Sequence, residues 1–197
     1  HACARAWSRL ILVTTGVRVQ VSGLERVPID GAYVFVSNHQ SIYDIPILFS
    51  ALPFQLRIIA KASLGLFPVL GWHLRYTGHL LVNRARIGAV TLLQVAGLMK
   101  RGHSLIVFPE GTRSRDGRVG PFKGGLFLMA VEAGLPIVPV AIRGSRHVML
   151  KGRLMTCPGD VSVAVHDPIP TCEMGRDDVR TLAVRARKIV TQMVSAS

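Results

Sequence analysis

Two ionisable side chains that lie close together in the sequence, His39 and Asp44, have the types and spacing needed for acid–base chemistry. They occur in VSNHQSIYDIP, residues 36–46, at the end of the apolar run AYVFVS at 32–37. An aspartate that accepts from one imidazole nitrogen fixes the tautomer and leaves the other nitrogen free to take a proton. The pair therefore fits a general base. In isolation, a capping aspartate beside an incidental histidine is the simpler interpretation.

A second stretch with chemical potential is PEGTRS, residues 109–114, which follows the apolar run SLIVF. It contains Glu110, Gly111, Thr112 and Arg113. Glycine lets a backbone approach a ligand closely, and arginine binds anions through a fixed planar fork. The stretch predicts an anion-binding loop.

Basic residues recur where apolar runs end. Lys61 closes the run LRIIAK, Arg84 follows GHLLVN, and Arg113 follows SLIVF. Any one of them alone is best read as a solvated surface base. Because ligand sites in α/β sheets gather at the ends of strands, three bases at equivalent positions favour a single anionic site.

The elements that must position these residues are visible as an alternation of short apolar runs and longer helical patterns. Strand-like runs occupy 32–37, 56–62, 78–84, 103–109, 135–142 and 160–166, and helical patterns occupy 42–52, 87–102, 123–134 and 177–194. This order predicts a single α/β domain with a mostly parallel or mixed sheet flanked by helices. The run at 160–166 alternates strictly, as an edge strand or hairpin does.

The last helical pattern has one continuous apolar face, with acidic residues before it and basic residues later, as the helix dipole favours. The face comprises Val179, Leu182, Ala186, Ile189 and Met193.

The composition restricts the class of protein. The chain has 197 residues, 49% of them hydrophobic, and a formal net charge of +13. It is therefore not disordered, and the charge suits an anionic partner such as a phospholipid surface, a phosphorylated substrate or nucleic acid. For most of the arginines, codon bias is the simpler explanation. Aromatic residues are only 6% of the chain, which argues against a single-strand nucleic-acid binder.

The cysteine and histidine patterns predict no metal site. The three cysteines form no CxxC pair, so a reducing compartment is favoured over a disulfide framework. The histidines show no ligand spacing.

Residues 1–20 form a separate expectation: a basic amphipathic segment that lies on a membrane, followed by the main domain at 21–197. The apolar stretch in this segment is too short to span a bilayer but suits the interface. Because the first residue is His1, we expect the chain to be a fragment or a processed product, and the sequence leaves open a spanning helix before it.

Four motifs in order, NHQSIYD, GHLLVNR, FPEGTRS and VPVAI, resemble those of the glycerolipid acyltransferases. The closest subgroup is the lysophosphatidic acid acyltransferases. The resemblance covers roughly residues 20–147 and implies the acyltransferase-type α/β fold. Two positions depart from the common pattern, Ser63 in place of glutamate and Asn83 in place of aspartate, and they leave acceptor and acyl preference open.

The resemblance also implies roles for individual residues. His39 and Asp44 would be the catalytic dyad. Lys61, Arg84 and Arg113 would hold the acceptor phosphate, while Glu110, Gly111 and Thr112 belong to the substrate-binding loop. Val138 and Pro139 would line or support the acyl-binding region.

The implied reaction is direct attack of a glycerol hydroxyl on an acyl thioester, with acyl-CoA or acyl carrier protein as co-substrate and no bound cofactor. We expect the backbone amides near Asn38–Ser41 to stabilise the oxyanion. The expected partners are lysophosphatidic acid and a phospholipid membrane, with the protein on its cytoplasmic face and no nucleic acid bound. The alternatives are a sister acyltransferase with another acceptor, such as glycerol 3-phosphate, and a non-catalytic binder of anionic lipid.

Two oily segments, 45–54 and 64–72, suit either bilayer docking, an acyl groove or ordinary core, and the sequence weighs these interpretations about equally.

Overall fold

The computed structural model describes residues 2–61, 80–82, 89–153 and 155–196. Within these residues seven strands form one sheet in the order β1-β7-β6-β2-β5-β3-β4. The strands are β1 (Val17–Ser22), β2 (Val34–Ser37), β3 (Gln55–Lys61), β4 (Leu80–Val82), β5 (His103–Val107), β6 (Ile137–Arg143) and β7 (Gly159–Val165).

Helices cover both faces of this sheet. The described helices are α1 (Ala2–Thr14), α2 (Asp44–Ala51), α3 (Ala89–Met99), α4 (Gly124–Glu132), the single turn α5 (Ser145–Val148) and α6 (Val179–Ser195). Short 3-10 turns lie at Leu24–Arg26 and Arg176–Asp178. The prediction of a single α/β domain with a mixed, mostly parallel sheet is confirmed.

Strand direction decides where the loops gather. Strands β6, β2, β5, β3 and β4 are parallel to one another, whereas β7 runs antiparallel to β6 and β1 is parallel to β7. The carboxyl ends of β2, β3, β4, β5 and β6 therefore lie along the same edge of the sheet. The loops that follow β2 and β5 carry His39 and Glu110, so topology alone brings these loops together.

The core consists of two layers, one on each face of the sheet. Successive side chains of β2 alternate between them: Phe35 belongs to the layer beneath α1 and α2, and Val34 and Val36 to the layer beneath α3, α4 and α6. A central strand covered on both faces has to be apolar throughout, which explains why AYVFVS reads as one continuous apolar run.

One sequence expectation is corrected here, and one set of open alternatives is decided. The run at 160–166 is not an edge strand, because β7 lies between β1 and β6. The segment 45–54 is largely core: Ile47, Leu48 and Leu52 have no exposed surface, since α2 packs this face against the sheet and α1.

The N-terminal residues pack onto the main sheet and do not form a separate segment. The boundary expected after residue 20 falls inside β1, which pairs with β7 from Val17 to Ser22. Leu12 of α1 is buried in the same layer as α2. Among the described residues, no helix combines the length and apolar character needed to cross a membrane.

Candidate active site

The site begins where β2 ends. The amide side chain of Asn38, which is almost fully buried, accepts a hydrogen bond from the backbone N–H of Ile142 at 2.8 Å and donates one to its carbonyl at 2.9 Å. The side chain of Asn38 thus makes the hydrogen bonds to β6 that a backbone peptide of β2 would otherwise make. The loop that starts at the following residue is held in place on the sheet.

His39 and Asp44 are in direct contact. The Nδ1 atom of His39 lies 2.7 Å from Oδ2 of Asp44, which is fully buried at the first residue of α2. The same oxygen accepts the backbone N–H groups of Gln40 at 2.7 Å and Ser41 at 2.9 Å. Three donors compensate the carboxylate for its loss of water. The structure therefore supports a fixed pair and not an incidental histidine beside a cap.

The imidazole ring of His39 is fixed by a second contact. It stacks on the ring of Phe108, the residue that follows β5, with centroids 4.1 Å apart and an interplanar angle of 20°. A carboxylate accepts from Nδ1–H and so leaves Nε2 unprotonated. Because the side chain is 16% exposed, the ring is held firmly without being fully buried.

Glu110 holds the backbone on which this histidine sits. Its carboxylate is buried, with Oε1 accepting the N–H of His39 at 2.8 Å and Oε2 accepting the N–H of Gly120 at 2.9 Å. Burial raises the pKa of Glu110, and these two backbone donors partly oppose that shift. A Cβ atom at Gly120 would lie 2.9 Å from Oε2, so a larger residue there would displace the carboxylate.

The loop after β5 also contacts the other side of the same peptide. The backbone N–H of Ser114 donates to the carbonyl of His39 at 2.7 Å, and the Gln40 side chain donates to the carbonyl of Gly117 at 2.8 Å. The loop after β5 thus makes hydrogen bonds to both His39 and Gln40 of the turn after β2.

An open cavity of about 430 Å³ adjoins this turn. Glu110 and Ser114, which both bond to the backbone of His39, form part of its wall. Four basic and two acidic side chains line the cavity: Arg113, Arg115, Arg118, Lys151, Glu110 and Asp116. This balance suits an anionic ligand.

The predicted substrate-binding residues divide into those that the structure describes and those outside it. Arg113 lines the cavity, and Thr112 lines it too, with Oγ1 accepting from Nζ of Lys151 at 3.0 Å. Gly111 has φ of +76°, a conformation that favours glycine, and a Cβ there would lie 3.0 Å from Nζ of Lys123. Among the described residues, Arg113 forms no ion pair with Glu110.

The other two predicted phosphate ligands are less fully described. Lys61 is the last residue of β3, at the same edge of the sheet as His39, but its side chain lies outside the described part. Arg84 lies entirely outside the described residues, as do Ser63, Asn83 and the oily segment 64–72.

Val138 and Pro139 lie in β6, in register with Phe35 and Val36 of β2. Val138 has no exposed surface and packs in the core layer beneath α1 and α2. The carbonyl of Pro139 accepts the N–H of His166 at 2.9 Å. Their part in acyl binding stays a prediction. Because Val138 is fully buried, it fits a residue that supports such a region better than one that lines it.

The expectation for the oxyanion is wrong for three of the four amides. The N–H of His39 donates to Glu110, and those of Gln40 and Ser41 donate to Asp44. An amide that already donates to a carboxylate is not available to a developing oxyanion. The sequence could not reveal this, because the acceptors depend on the fold of the turn.

Sequence reasoning missed Lys151 and the ring contact of Phe108. Lys151 lies between α5 and β7, after the last motif and distant in sequence from FPEGTRS, so only the folded chain brings it to Thr112. Phe108, in contrast, precedes the PEGTRS motif directly, and an aromatic residue at a strand end beside a predicted base is a signal that could have been used.

The described residues hold no cluster of three or more histidine, cysteine, aspartate or glutamate side chains suited to a metal ion. Cys3, Cys157 and Cys172 are all exposed and unpaired with one another.

Comparison with known proteins identifies the class. The family model described as Acyltransferase matches residues 18–143, and the chain belongs to this family. A crystal structure of the 1-acyl-sn-glycerophosphate (LPA) acyltransferase PlsC from Thermotoga maritima is similar to the whole chain, with a TM-score of 0.82 and 30% identity, and the match covers 80% of that protein.

Curated relatives carry a more specific name. A chloroplastic 1-acyl-sn-glycerol-3-phosphate acyltransferase of Brassica napus is 38% identical over 86% of the chain. The human 1-acyl-sn-glycerol-3-phosphate acyltransferase alpha is 35% identical over 87% of the chain. The 1-acyl-sn-glycerol-3-phosphate acyltransferase of Salmonella typhimurium is 34% identical over 84%. The chain spans 50% of the Brassica napus protein, 62% of the human one and 68% of the Salmonella one.

Proposed function

We propose that this protein transfers a fatty acyl group from an acyl thioester to the sn-2 hydroxyl of 1-acyl-sn-glycerol 3-phosphate, giving phosphatidic acid. The observation that carries the proposal is the 2.7 Å contact between His39 Nδ1 and the buried carboxylate of Asp44, next to a basic cavity. Membership of the acyltransferase family and the names of the relatives support the same reaction.

In this proposal, Nε2 of His39 removes the proton of the acceptor hydroxyl as its oxygen attacks the thioester carbonyl. Asp44 stabilises the imidazolium that forms and keeps the ring in one tautomer. The tetrahedral intermediate then collapses, the C–S bond breaks, and the imidazolium returns its proton to the departing thiolate. The histidine is restored, and acyl-enzyme formation is unnecessary because the hydroxyl is itself the nucleophile.

The acceptor's phosphate is assigned to the cavity lined by Arg113. A phosphate there would lie on the loop that bonds to both the N–H and the carbonyl of His39. Binding energy from the phosphate would thus be used to position the hydroxyl at the base, which is how remote substrate groups contribute to turnover. Lys61 and Arg84 remain proposed members of this phosphate site.

We further propose that the donor is acyl-CoA or acyl carrier protein, that no cofactor is bound, and that the enzyme works on the cytoplasmic face of a membrane. Three observations support the membrane part. Trp7, Leu10 and Val13 of α1 are exposed, and they share the face turned away from Leu12. Arg9 is exposed beside them, and the chain carries a net charge of +13.

The test is identification of the product. The purified protein would be incubated in phosphatidylcholine vesicles with each of three acceptors, 1-acyl-sn-glycerol 3-phosphate, glycerol 3-phosphate and a neutral monoacylglycerol, and with acyl-CoA or acyl carrier protein as donor. Mass spectrometry should find phosphatidic acid as the main product, with the new acyl group at sn-2. Faster acylation of glycerol 3-phosphate would show a sister enzyme, and no acylation of any acceptor would contradict the proposal.

A further inference from the structure

Lys151 reaches the cavity from a part of the chain that carries none of the recognised motifs. It lies between α5 and β7, outside the residues 18–143 that match the family model. Its ammonium Nζ donates to the backbone carbonyl of Arg113 at 2.8 Å and to Oγ1 of Thr112 at 3.0 Å. The side chain therefore meets the predicted anion-binding loop at its centre.

The charge of this ammonium is not balanced by a carboxylate among the described residues. Both of its acceptors are neutral oxygens. The two acids on the cavity wall are bonded elsewhere: Glu110 accepts from two backbone amides, and Asp116 accepts from Ser114 and from the N–H of Arg118. An ammonium has three donors, so one N–H of Lys151 remains for a ligand.

The surroundings strengthen an anion's attraction to this position. Lys151 is half-buried, and it shares the cavity wall with Arg113, which likewise has no carboxylate partner in the described part of the chain. A charge that is partly removed from water interacts more strongly with a counter-ion than a fully solvated one does. Two such cations on one wall form a site for a doubly charged group.

We propose that Lys151 is a binding residue for the phosphate monoester of the acceptor, a role that rests on the function proposed above. Two of its donors are committed to the loop, which fixes the ammonium in place without neutralising it. The third donor and the charge are directed to the phosphate together with the guanidinium of Arg113. Lys151 thus determines specificity for a phosphorylated acceptor.

A bracing role and a charge role can be separated by choice of substitution. Lys151→Gln retains an N–H donor for the loop carbonyl but loses the charge. Lys151→Arg retains the charge with a different shape, and Lys151→Met retains only the apolar stem. Arg153→Met is the matched control, because Arg153 is exposed two residues away and its side chain makes no hydrogen bond within the described residues.

Steady-state kinetics would be measured with acceptor and acyl-CoA varied in turn. For Lys151→Gln and Lys151→Met, we expect KM for 1-acyl-sn-glycerol 3-phosphate to rise roughly tenfold to a hundredfold, the range for loss of a hydrogen bond to a charged group. KM for acyl-CoA should stay within about twofold, Lys151→Arg should recover part of the loss, and Arg153→Met should match the parent.

Different results would overturn the proposal in distinct ways. Full activity of Lys151→Gln would show that the side chain only braces the loop. A raised KM for acyl-CoA with an unchanged acceptor KM would show that the cavity holds the phosphates of the donor.

A binding measurement separates this proposal from the activity. Glycerol 3-phosphate and inorganic phosphate would be titrated by calorimetry into the parent, Lys151→Gln and Arg153→Met proteins. Weaker binding of glycerol 3-phosphate by Lys151→Gln alone supports the site even if the acceptor of the reaction proves to be another phosphorylated glycerol. Equal binding by all three proteins contradicts it, whatever reaction the enzyme performs. Inorganic phosphate binding as tightly as glycerol 3-phosphate would show a general anion site and no specificity for the acceptor.

Discussion

At the scale of single residues, the carboxylate of Asp44 accepts all of its hydrogen bonds at one oxygen. Oδ2 accepts from His39, Gln40 and Ser41, whereas Oδ1 is buried with no hydrogen-bond partner among the described residues. An asparagine can therefore keep its oxygen where the three donors converge, and the amide nitrogen takes the place of Oδ1. The two backbone donors also prevent the amide from flipping, so the histidine tautomer is preserved.

Asp44→Asn should consequently keep the histidine tautomer while losing the charge that supports the imidazolium, with some loss of stability because its amide N–H groups are buried without an acceptor. We expect kcat of this variant to fall by about 10²–10⁴, the range for a positioned general base. The kcat of His39→Ala should fall at least as far. The measurement is turnover of the purified variants, with thermal unfolding to confirm the fold. Asp30→Asn, at an exposed position, is the control. Near-parental turnover of folded His39→Ala would remove His39 from the mechanism.

Glu110 gives a prediction about pH. Burial raises its pKa in the folded protein above the usual value of about 4.5. Just above that value the folded state therefore binds more protons than the unfolded state, and stability falls as pH rises through this window. In Glu110→Gln this contribution is absent. Parent stability minus variant stability should thus decrease from pH 4 towards neutral pH in urea unfolding, and a difference that grows with pH would contradict the assignment.

At the scale of elements, helix α6 is connected to the turn that carries His39 through the loop after β5. Nε of Arg187 donates to the carbonyl of Gly120 at 2.9 Å and its Nη2 to that of Val119 at 3.0 Å. Gly120 in turn donates to Glu110, and Glu110 accepts from the backbone of His39. A helix outside the matched family region thus supports the backbone of His39 through Gly120 and Glu110.

Arg187→Met tests this connection. Because Arg187 is exposed and solvent weakens its hydrogen bonds, we expect a loss of at most about 1 kcal/mol in the free energy of unfolding. We also expect kcat to fall by roughly tenfold, since small displacements of a base are costly in rate. Arg185→Met is the matched control, on the same helix and exposed, with no side-chain hydrogen bond in the described part of the chain. Identical behaviour of the two variants would show that α6 does not influence the turn.

The elements differ in how well their sequence predicted them. The apolar face of α6 was read correctly: Leu182 and Ala186 are buried, and Val179 packs against the same layer. A pattern with a period of 3.6 residues predicts the buried face reliably, because a helix that packs on a sheet buries one side of its surface. Strand β1 is not predicted from the sequence, because its first four residues fall in the amphipathic segment at 1–20. In the structure, the turn at residues 15–16 separates this strand from α1.

The site was predicted to the extent that it is local. The contact of His39 with Asp44 spans five residues and follows from a turn entering a helix. The partners of Glu110 and the position of Lys151 depend on which loops the sheet brings together, and no spacing in the sequence specifies those contacts. The oxyanion expectation is wrong for three of its four amides for the same reason, because the acceptors of backbone donors are fixed only by the folded turn.

At the scale of the whole molecule, two properties support the proposed binding to a membrane. The net charge of +13 attracts anionic lipid over a distance set by salt, and α1 presents Trp7, Leu10 and Val13, which are 57%, 61% and 77% exposed. The first contribution is screened by salt, whereas burial of apolar side chains is not. The proposed function requires both, because the acceptor and the product are lipids.

Trp7→Ser combined with Leu10→Ser should weaken binding to phosphatidylcholine vesicles roughly tenfold to a hundredfold, since burying a large apolar side chain contributes about 1.5–3 kcal/mol and these two are already partly covered. The parent should stay partly bound at about 1 M salt, where the Debye length is only ~3 Å. Vesicle co-sedimentation, with and without anionic lipid, measures both effects. Val184→Ser on α6, 62% exposed, controls for loss of a surface apolar group elsewhere.

With anionic vesicles at low salt, the double variant should recover most of its binding through charge alone. Complete release of the parent by moderate salt would mean that attachment is purely electrostatic and that α1 does not enter the bilayer interface.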